Sequence, residues 1–156
     1  MKCISKRQME VEEGVLPYPL NIYPEGATTN GDYLIEFKKG AFFGLNSVQP
    51  LAYKYYSNTI NTSHDVITII PHIVIICWAP YTILHMKQYP TFKPNEYFFE
   101  HHWDPKSGEE KWQAFARVIR DIIQKGFDFK ISNLSMENKL EYKQILKART
   151  PKDKTE

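Results

Sequence analysis

The stretch YPEGATTNGDYLIEFKKGAF, residues 23–42, opens with a carboxylate, two glycines, two threonines and an asparagine within seven positions. An apolar run and a second glycine-punctuated corner follow it. Gly26 and Gly31 let the backbone turn and approach a ligand, while Thr28, Thr29 and Asn30 add donors suited to phosphate or carboxylate oxygens. Lys38 and Lys39 offer the counter-charge. A turn in which Glu25 bonds only to nearby amides has the same composition. The stretch is not a Walker loop, because the glycine spacing and the GK[ST] ending are absent. Just before it, Leu20, Ile22 and Tyr23 suggest a brief strand that ends in a loop at Pro24 and Gly26. Glu25 would then sit at a strand end, where α/β folds place ligand contacts.

Downstream, residues 40–46 read as a tight corner or one helical turn. Residues 47–54 read as a strand bearing Val48, Leu51 and Ala52, near an edge because of Pro50. Residues 58–65 are polar loop. Residues 66–86, VITIIPHIVIICWAPYTILHM, contain no Asp, Glu, Lys or Arg. That length meets the threshold for a bilayer span, against which stand Pro71, Pro80, His72 and His85. A buried or membrane-lying helix with irregular ends, leaving Trp78 and Tyr81 at a headgroup boundary, is a second reading. Two short β-branched strands are a third. HMKQYPTFKPNEYF then reads as an exit strand ending at Pro90 or Pro94.

EEKWQAFARVIRDIIQKG is the clearest helix. Trp112, Phe115, Ala116, Ile119, Ile122 and Ile123 share one stripe, Ser107 is the expected cap, and Gly126 is the expected stop. A second helix is predicted over residues 136–149. Together these elements predict a partial α/β fold, an incomplete sheet with flanking helices. Residues 1–14 are charged and expected to be loose, 15–149 form the folded body, and 150–156 are a charged tail.

Composition bounds the function classes. The chain has 156 residues, a formal charge of +2 and 42% apolar residues. These values describe one folded domain with mixed charge, and nucleic acid is not an expected partner. Cys3 and Cys77 are too few for a disulfide scaffold or a four-cysteine zinc site. No metal site is expected: HHWD at residues 101–104 reads as a polar loop anchored by Trp103. The first residues lack the apolar core of a signal peptide. Lys152 and Lys154 sit at a spacing similar to a dilysine endoplasmic-reticulum retrieval signal, and a solvated tail explains them equally well.

YPEGATTNGDYLIEFKKGAF followed by VQPLAYKY resembles the third and fourth blocks of the glycerophospholipid acyltransferases, nearest the lysophosphatidylcholine acyltransferase branch. Tyr23, Pro24, Glu25 and Gly26 match one element of that pattern, Phe37, Lys38, Gly40, Ala41 and Phe42 a second, and Gln49 and Pro50 a third. The resemblance continues more faintly to about residue 146. It implies that the Glu-Gly loop holds a phosphate-bearing acceptor, with Glu25, Gly26, Thr28, Thr29, Asn30 and Lys38 as substrate-binding residues. It also implies a histidine in a His-x-x-x-x-Asp element that deprotonates the acceptor hydroxyl for attack on an acyl-CoA thioester. None of His64, His72, His85, His101 and His102 has aspartate five positions on. Ala27 replaces the threonine usual in the family.

The expectation is therefore the carboxyl-terminal half of an acyltransferase-like layered fold with no catalytic residue of its own. Three readings follow. The first is a silent accessory or structural subunit of a membrane-associated complex, a pseudoenzyme contacting phospholipid and other membrane-complex proteins. The second is part of an active lysophospholipid acyltransferase, with the histidine on a missing or separate segment. The third is a small soluble α/β binding module. No cofactor is expected, and acyl-CoA enters only as co-substrate of an active form. The endoplasmic reticulum and the mitochondrial membrane are the expected locations.

Overall fold

The computed structural model describes residues 2–27, 29, 31–56, 69–78 and 81–149. The expected polar loop at 58–65 and the charged tail at 150–156 lie outside the described residues. The architecture is a partial α/β fold in which helices flank two small sheets.

The helix α4, Lys111–Phe127, organises the core. Its apolar period brings Ala114, Phe115, Ala116, Ile119 and Ile123 to one buried stripe, as the sequence predicts. Phe115 is completely buried. It meets Phe42 edge-on at 5.3 Å and Phe98 at 5.9 Å between ring centroids. Each large side chain buried this way contributes about 1.5–3 kcal/mol.

Phe98 arrives on α3, Glu96–His102, which the sequence reading left between a strand ending at Pro90 or Pro94 and a polar loop at 101–104. The start signal is present: the Asn95 side chain accepts from the Phe98 amide at 2.9 Å. Phe42 arrives from the 3₁₀ turn Lys39–Ala41, the expected one-turn corner.

Two ends of α4 differ from expectation. The helix starts after Glu110, whose amide donates to Gln113 Oε1 at 2.7 Å, while Ser107 belongs to a separate 3₁₀ turn, Pro105–Ser107. It also runs through Gly126 and stops at Asp128, which takes the left-handed conformation at φ 54°. Gly126 is needed inside the helix because a Cβ there would overlap the Tyr89 hydroxyl.

The strand β1, Tyr33–Leu34, pairs in parallel with β4, Lys130–Ile131, just after α4. The strand β2, Leu51–Tyr56, forms an antiparallel hairpin with β3, Ile83–Gln88, in the register Leu51 to Gln88 through Tyr56 to Ile83. The expected strand at 47–54 thus begins later, after a single bridge between Val48 and Phe92. The strand expected at Leu20, Ile22 and Tyr23 is irregular chain, flanked by Pro19 and Pro24.

Of residues 66–86, the described ones form a helix, α2, over Ile69–Trp78, largely exposed rather than buried, and then one strand, β3, rather than two. Among the described residues no helix is long and apolar enough to cross a membrane. The helix α5, Met136–Arg149, follows β4 as predicted.

The amino-terminal segment expected to be loose is helical over most of its length, forming α1, Lys2–Glu12. Long-range polar bonds dock it: Gln8 donates to the Ala41 carbonyl at 3.0 Å, and Asn46 donates to the Ser5 carbonyl at 3.3 Å.

Candidate functional site

The Glu25 loop is built by its own backbone. The Gly26 amide donates to the Tyr23 carbonyl at 3.2 Å, and the Lys38 amide donates to the Pro24 carbonyl at 2.8 Å. Gly26 has φ +67°, a conformation that disfavours other residues. The Lys38 side chain crosses directly over it: a Cβ at Gly26 would stand 3.0–3.3 Å from the end of that lysine. Gly26 therefore supplies the turn that the sequence suggests, with the Lys38 side chain packed against it.

Glu25 is partly buried at this turn. The Ile35 amide donates to its carboxylate, and the Lys139 ammonium attracts it. Oε2 is buried with no hydrogen-bond partner. Desolvation outweighs the amide and the lysine, and it pushes the Glu25 pKa up to about 7. Near neutrality this carboxyl exists in both forms. It accepts a hydrogen bond when ionised and donates one when protonated.

Lys38 Nζ lies 2.9 Å from Met136 Sδ. A thioether is a weak acceptor, so this bond is readily exchanged for an anionic oxygen. Met136 and Lys139 stand three positions apart on α5 and share one face. Lys139 thus acts on the ambivalent Glu25 carboxyl, while Lys38 crosses the adjacent Gly26 and meets Met136 on α5.

The other sequence-predicted residues divide. Thr29 Oγ1 donates to the Tyr33 carbonyl at 3.1 Å and receives the Gly31 amide at 3.3 Å, so its hydroxyl closes the loop itself. Thr28 and Asn30 lie outside the described residues. The sequence reading missed Lys139, which the predicted helix at 136–149 carries to this loop.

His85, His101 and His102 have other neighbours than the Glu25 loop. His85 lies edge-on to Tyr56 at 4.9 Å. His101 Nδ1 is 2.8 Å from the Tyr97 carbonyl oxygen, and His102 packs on Phe98. His72 is buried on α2.

HHWD forms the end of α3 and a packing corner, in which Trp103 Nε1 donates to the Glu109 carbonyl at 2.7 Å. Arg117 ties the same corner together, donating to the Glu109 carboxylate and to the His102 carbonyl. Among the described residues no group of three or more His, Cys, Asp or Glu side chains is arranged to hold a metal.

Comparison with known proteins bears on this loop. The chain is 27% identical to a lysophospholipid acyltransferase of Arabidopsis thaliana over 139 residues, 89% of its own length and 32% of that protein's. A match of that extent must include residues 18–139, and hence Glu25, Gly26, Lys38 and the whole of α4. It is 32% identical to lysophosphatidylcholine acyltransferase 1 of Danio rerio over 123 residues, 75% of its own length and 21% of that protein's.

The chain is related to the lysophospholipid acyltransferases. This acyltransferase relative spans about a third of the length of the first of those proteins and a fifth of the second. No family model and no solved structure matches it.

Proposed function

We propose that this chain binds the phosphate of a lysophospholipid acceptor at the Glu25 loop and performs no acyl transfer alone, acting as an acyltransferase-like accessory or structural subunit of a membrane-associated complex. The observation that supports the reading is the unpartnered Glu25 Oε2 acted on by Lys139, with Lys38 crossing the same turn at Gly26. The two ammonium groups neutralise the phosphate, and the protonated carboxyl donates to one of its oxygens. What supports silence is that His85, His101 and His102 are engaged with aromatic or backbone neighbours. The expected setting is an endoplasmic-reticulum or mitochondrial membrane.

The relatedness to lysophospholipid acyltransferases favours a second reading, in which a base from outside the described residues completes an enzyme. There the acceptor hydroxyl oxygen would attack the acyl-CoA thioester carbon. The carbon–sulfur bond would break, and the hydroxyl proton would pass through the base to the departing thiolate.

The test is calorimetric titration of the full chain with a short-chain lysophosphatidylcholine, alongside thiol release from acyl-CoA. Binding weakened about ten-fold in Lys38→Ala, with thiol release at the rate of buffer, is the expected result. Thiol release above that rate, abolished in Glu25→Gln, selects the enzyme. Absence of lysophospholipid binding overturns both.

A further inference from the structure

We propose that α5 is a strap over the Glu25 loop: in the free chain Met136 holds the Lys38 ammonium, and an anionic phosphate oxygen that takes this lysine loosens the helix. The proposal rests on the reading of that loop as a phosphate site and adds how the site is opened.

The chain after β4 is led to the loop by its own backbone. The Ser132 amide donates to the Leu34 carbonyl at 2.9 Å, and the Glu36 amide donates to the Leu134 carbonyl at 3.2 Å. Residues 132–134 thus run beside 34–36 and deliver α5 next to Lys38. Local bonds then fix where the helix starts: the Ser135 amide donates to Asn138 Oδ1 at 2.9 Å, and the Glu137 amide donates to Ser135 Oγ at 3.2 Å. The first turn of α5 bears the side chains that reach the loop. Met136 Sδ accepts from Lys38 Nζ at 2.9 Å, and three positions on, Lys139 attracts the Glu25 carboxylate. A Cβ on Gly26 would stand 3.3 Å from Lys38 Nζ, so the ammonium ends over the turn with the sulfur upon it. Farther along, Leu140, Tyr142 and Ile145 are exposed. A 14-residue helix is marginal alone in water, so whatever holds its first turn decides how often it opens.

The partner of Lys38 is what makes the strap exchangeable. Lys39, one residue on, pairs with the Glu110 carboxylate at 2.9 Å, and Lys93 pairs with Glu12. Lys38 has a thioether instead, a weak and uncharged acceptor. A phosphate oxygen makes a charge-assisted bond, about twice as strong as a neutral one. Met136 therefore keeps the ammonium in place over Gly26 without competing strongly for it. When the anion takes the lysine, α5 loses one of the contacts of its first turn.

The experiment pairs hydrogen exchange of the α5 amides with calorimetric titration of the full chain. Inorganic phosphate and a short-chain lysophosphatidylcholine are the separate probes. In the free chain Met136→Ala should speed α5 exchange about three-fold, the size of one weak hydrogen bond, although alanine is the better helix former. Met136→Gln places an amide oxygen, a stronger acceptor, at similar reach and should slow that exchange. Affinity should follow the same order, about three-fold tighter in Met136→Ala and about three-fold weaker in Met136→Gln. A saturating probe should bring α5 exchange in the wild type to the level of free Met136→Ala. Lysophosphatidylcholine binding that leaves α5 exchange unchanged, or two variants that move affinity in the same direction, overturns the strap and keeps the lysophospholipid reading. Inorganic phosphate that loosens α5 where lysophosphatidylcholine does not bind keeps the strap and overturns that reading. Binding of neither probe, to the wild type or to Met136→Ala, overturns both.

Discussion

The helices α4 and α2 are both rich in apolar residues, and they have opposite fates. In α4 the apolar residues recur at the helical period and polar ones fill the gaps, so one stripe is buried and Phe115 is sealed among Phe42, Phe92 and Phe98. In α2 every position but His72 is apolar or small, and the buried side chain is the histidine. The difference teaches that hydrophobicity alone does not bury a helix. A stripe tells the chain which side to bury, whereas an apolar cylinder leaves most of its surface for whatever apolar medium lies outside.

The largest test of that contrast is a pair of truncations. Phe115→Ala should cost about 3–5 kcal/mol, because the fully packed site cannot collapse around the lost ring. Val74→Ala should cost less than about 0.5 kcal/mol, because an exposed side chain loses few contacts. Urea unfolding with an unchanged slope checks both. An α2 truncation as costly as that of Phe115 would mean α2 is packed into the core, and the contrast would be gone.

A second test probes polar groups in the firm part of the molecule. Glu25 has its pKa raised to about 7 from an ordinary 4.5, mainly by desolvation. Between these values the folded chain holds a proton that the unfolded chain has released. The stabilisation is complete below pH 4.5 and is lost as pH rises through 7. Glu25→Gln has nothing to ionise. Its stability should therefore stay level across that range and exceed that of the wild type at pH 8 by roughly 2 kcal/mol, less than the full linkage because the carboxyl is only partly buried. Unfolding curves from pH 4 to 8 measure it. Parallel pH profiles for the two proteins would show that Glu25 is solvated, and that the loop is as open as α2.

What the sequence made legible follows the same divide. The α4 stripe, the turn at Gly26, the corner before Phe42 and the helix at 136–149 carry their causes within a few residues. Three features do not. The helix α1 is polar and short of a stripe, and its docking partners Ala41 and Asn46 lie more than thirty positions away. The helix α3 has only the Asn95 cap to announce it, in a stretch left between a strand and a polar loop. Lys139 reaches the Glu25 loop from over a hundred positions away, and no local spacing encodes that. The passage of α4 through Gly126 was hidden for the same reason: Tyr89, which packs over it, comes from beyond β3.

The smallest expected effect lies at the margin of the firm region, where α1 ends. Burial works against the Glu12 carboxylate, but bonds from Lys93, 2.6 Å away, and from the Ser47 amide outweigh it and hold the pKa below the ordinary value. The sign is therefore opposite to that of Glu25: the stabilisation is present above pH 4.5 and is lost as pH falls through the lowered pKa. Lys93 is 60% exposed, so the ion pair is well screened and the whole contribution is about 1 kcal/mol. Glu12→Gln should cost that much at pH 7 and progressively less as pH falls through the lowered pKa. The bonds from Gln8 and Asn46 remain, so α1 should stay docked and lose only its last turn. Faster hydrogen exchange confined to the amides around Met9 to Glu13 would report this. Exchange spreading through all of α1 would mean that Glu12 alone holds the helix, and that its attachment is as slight as that of α2.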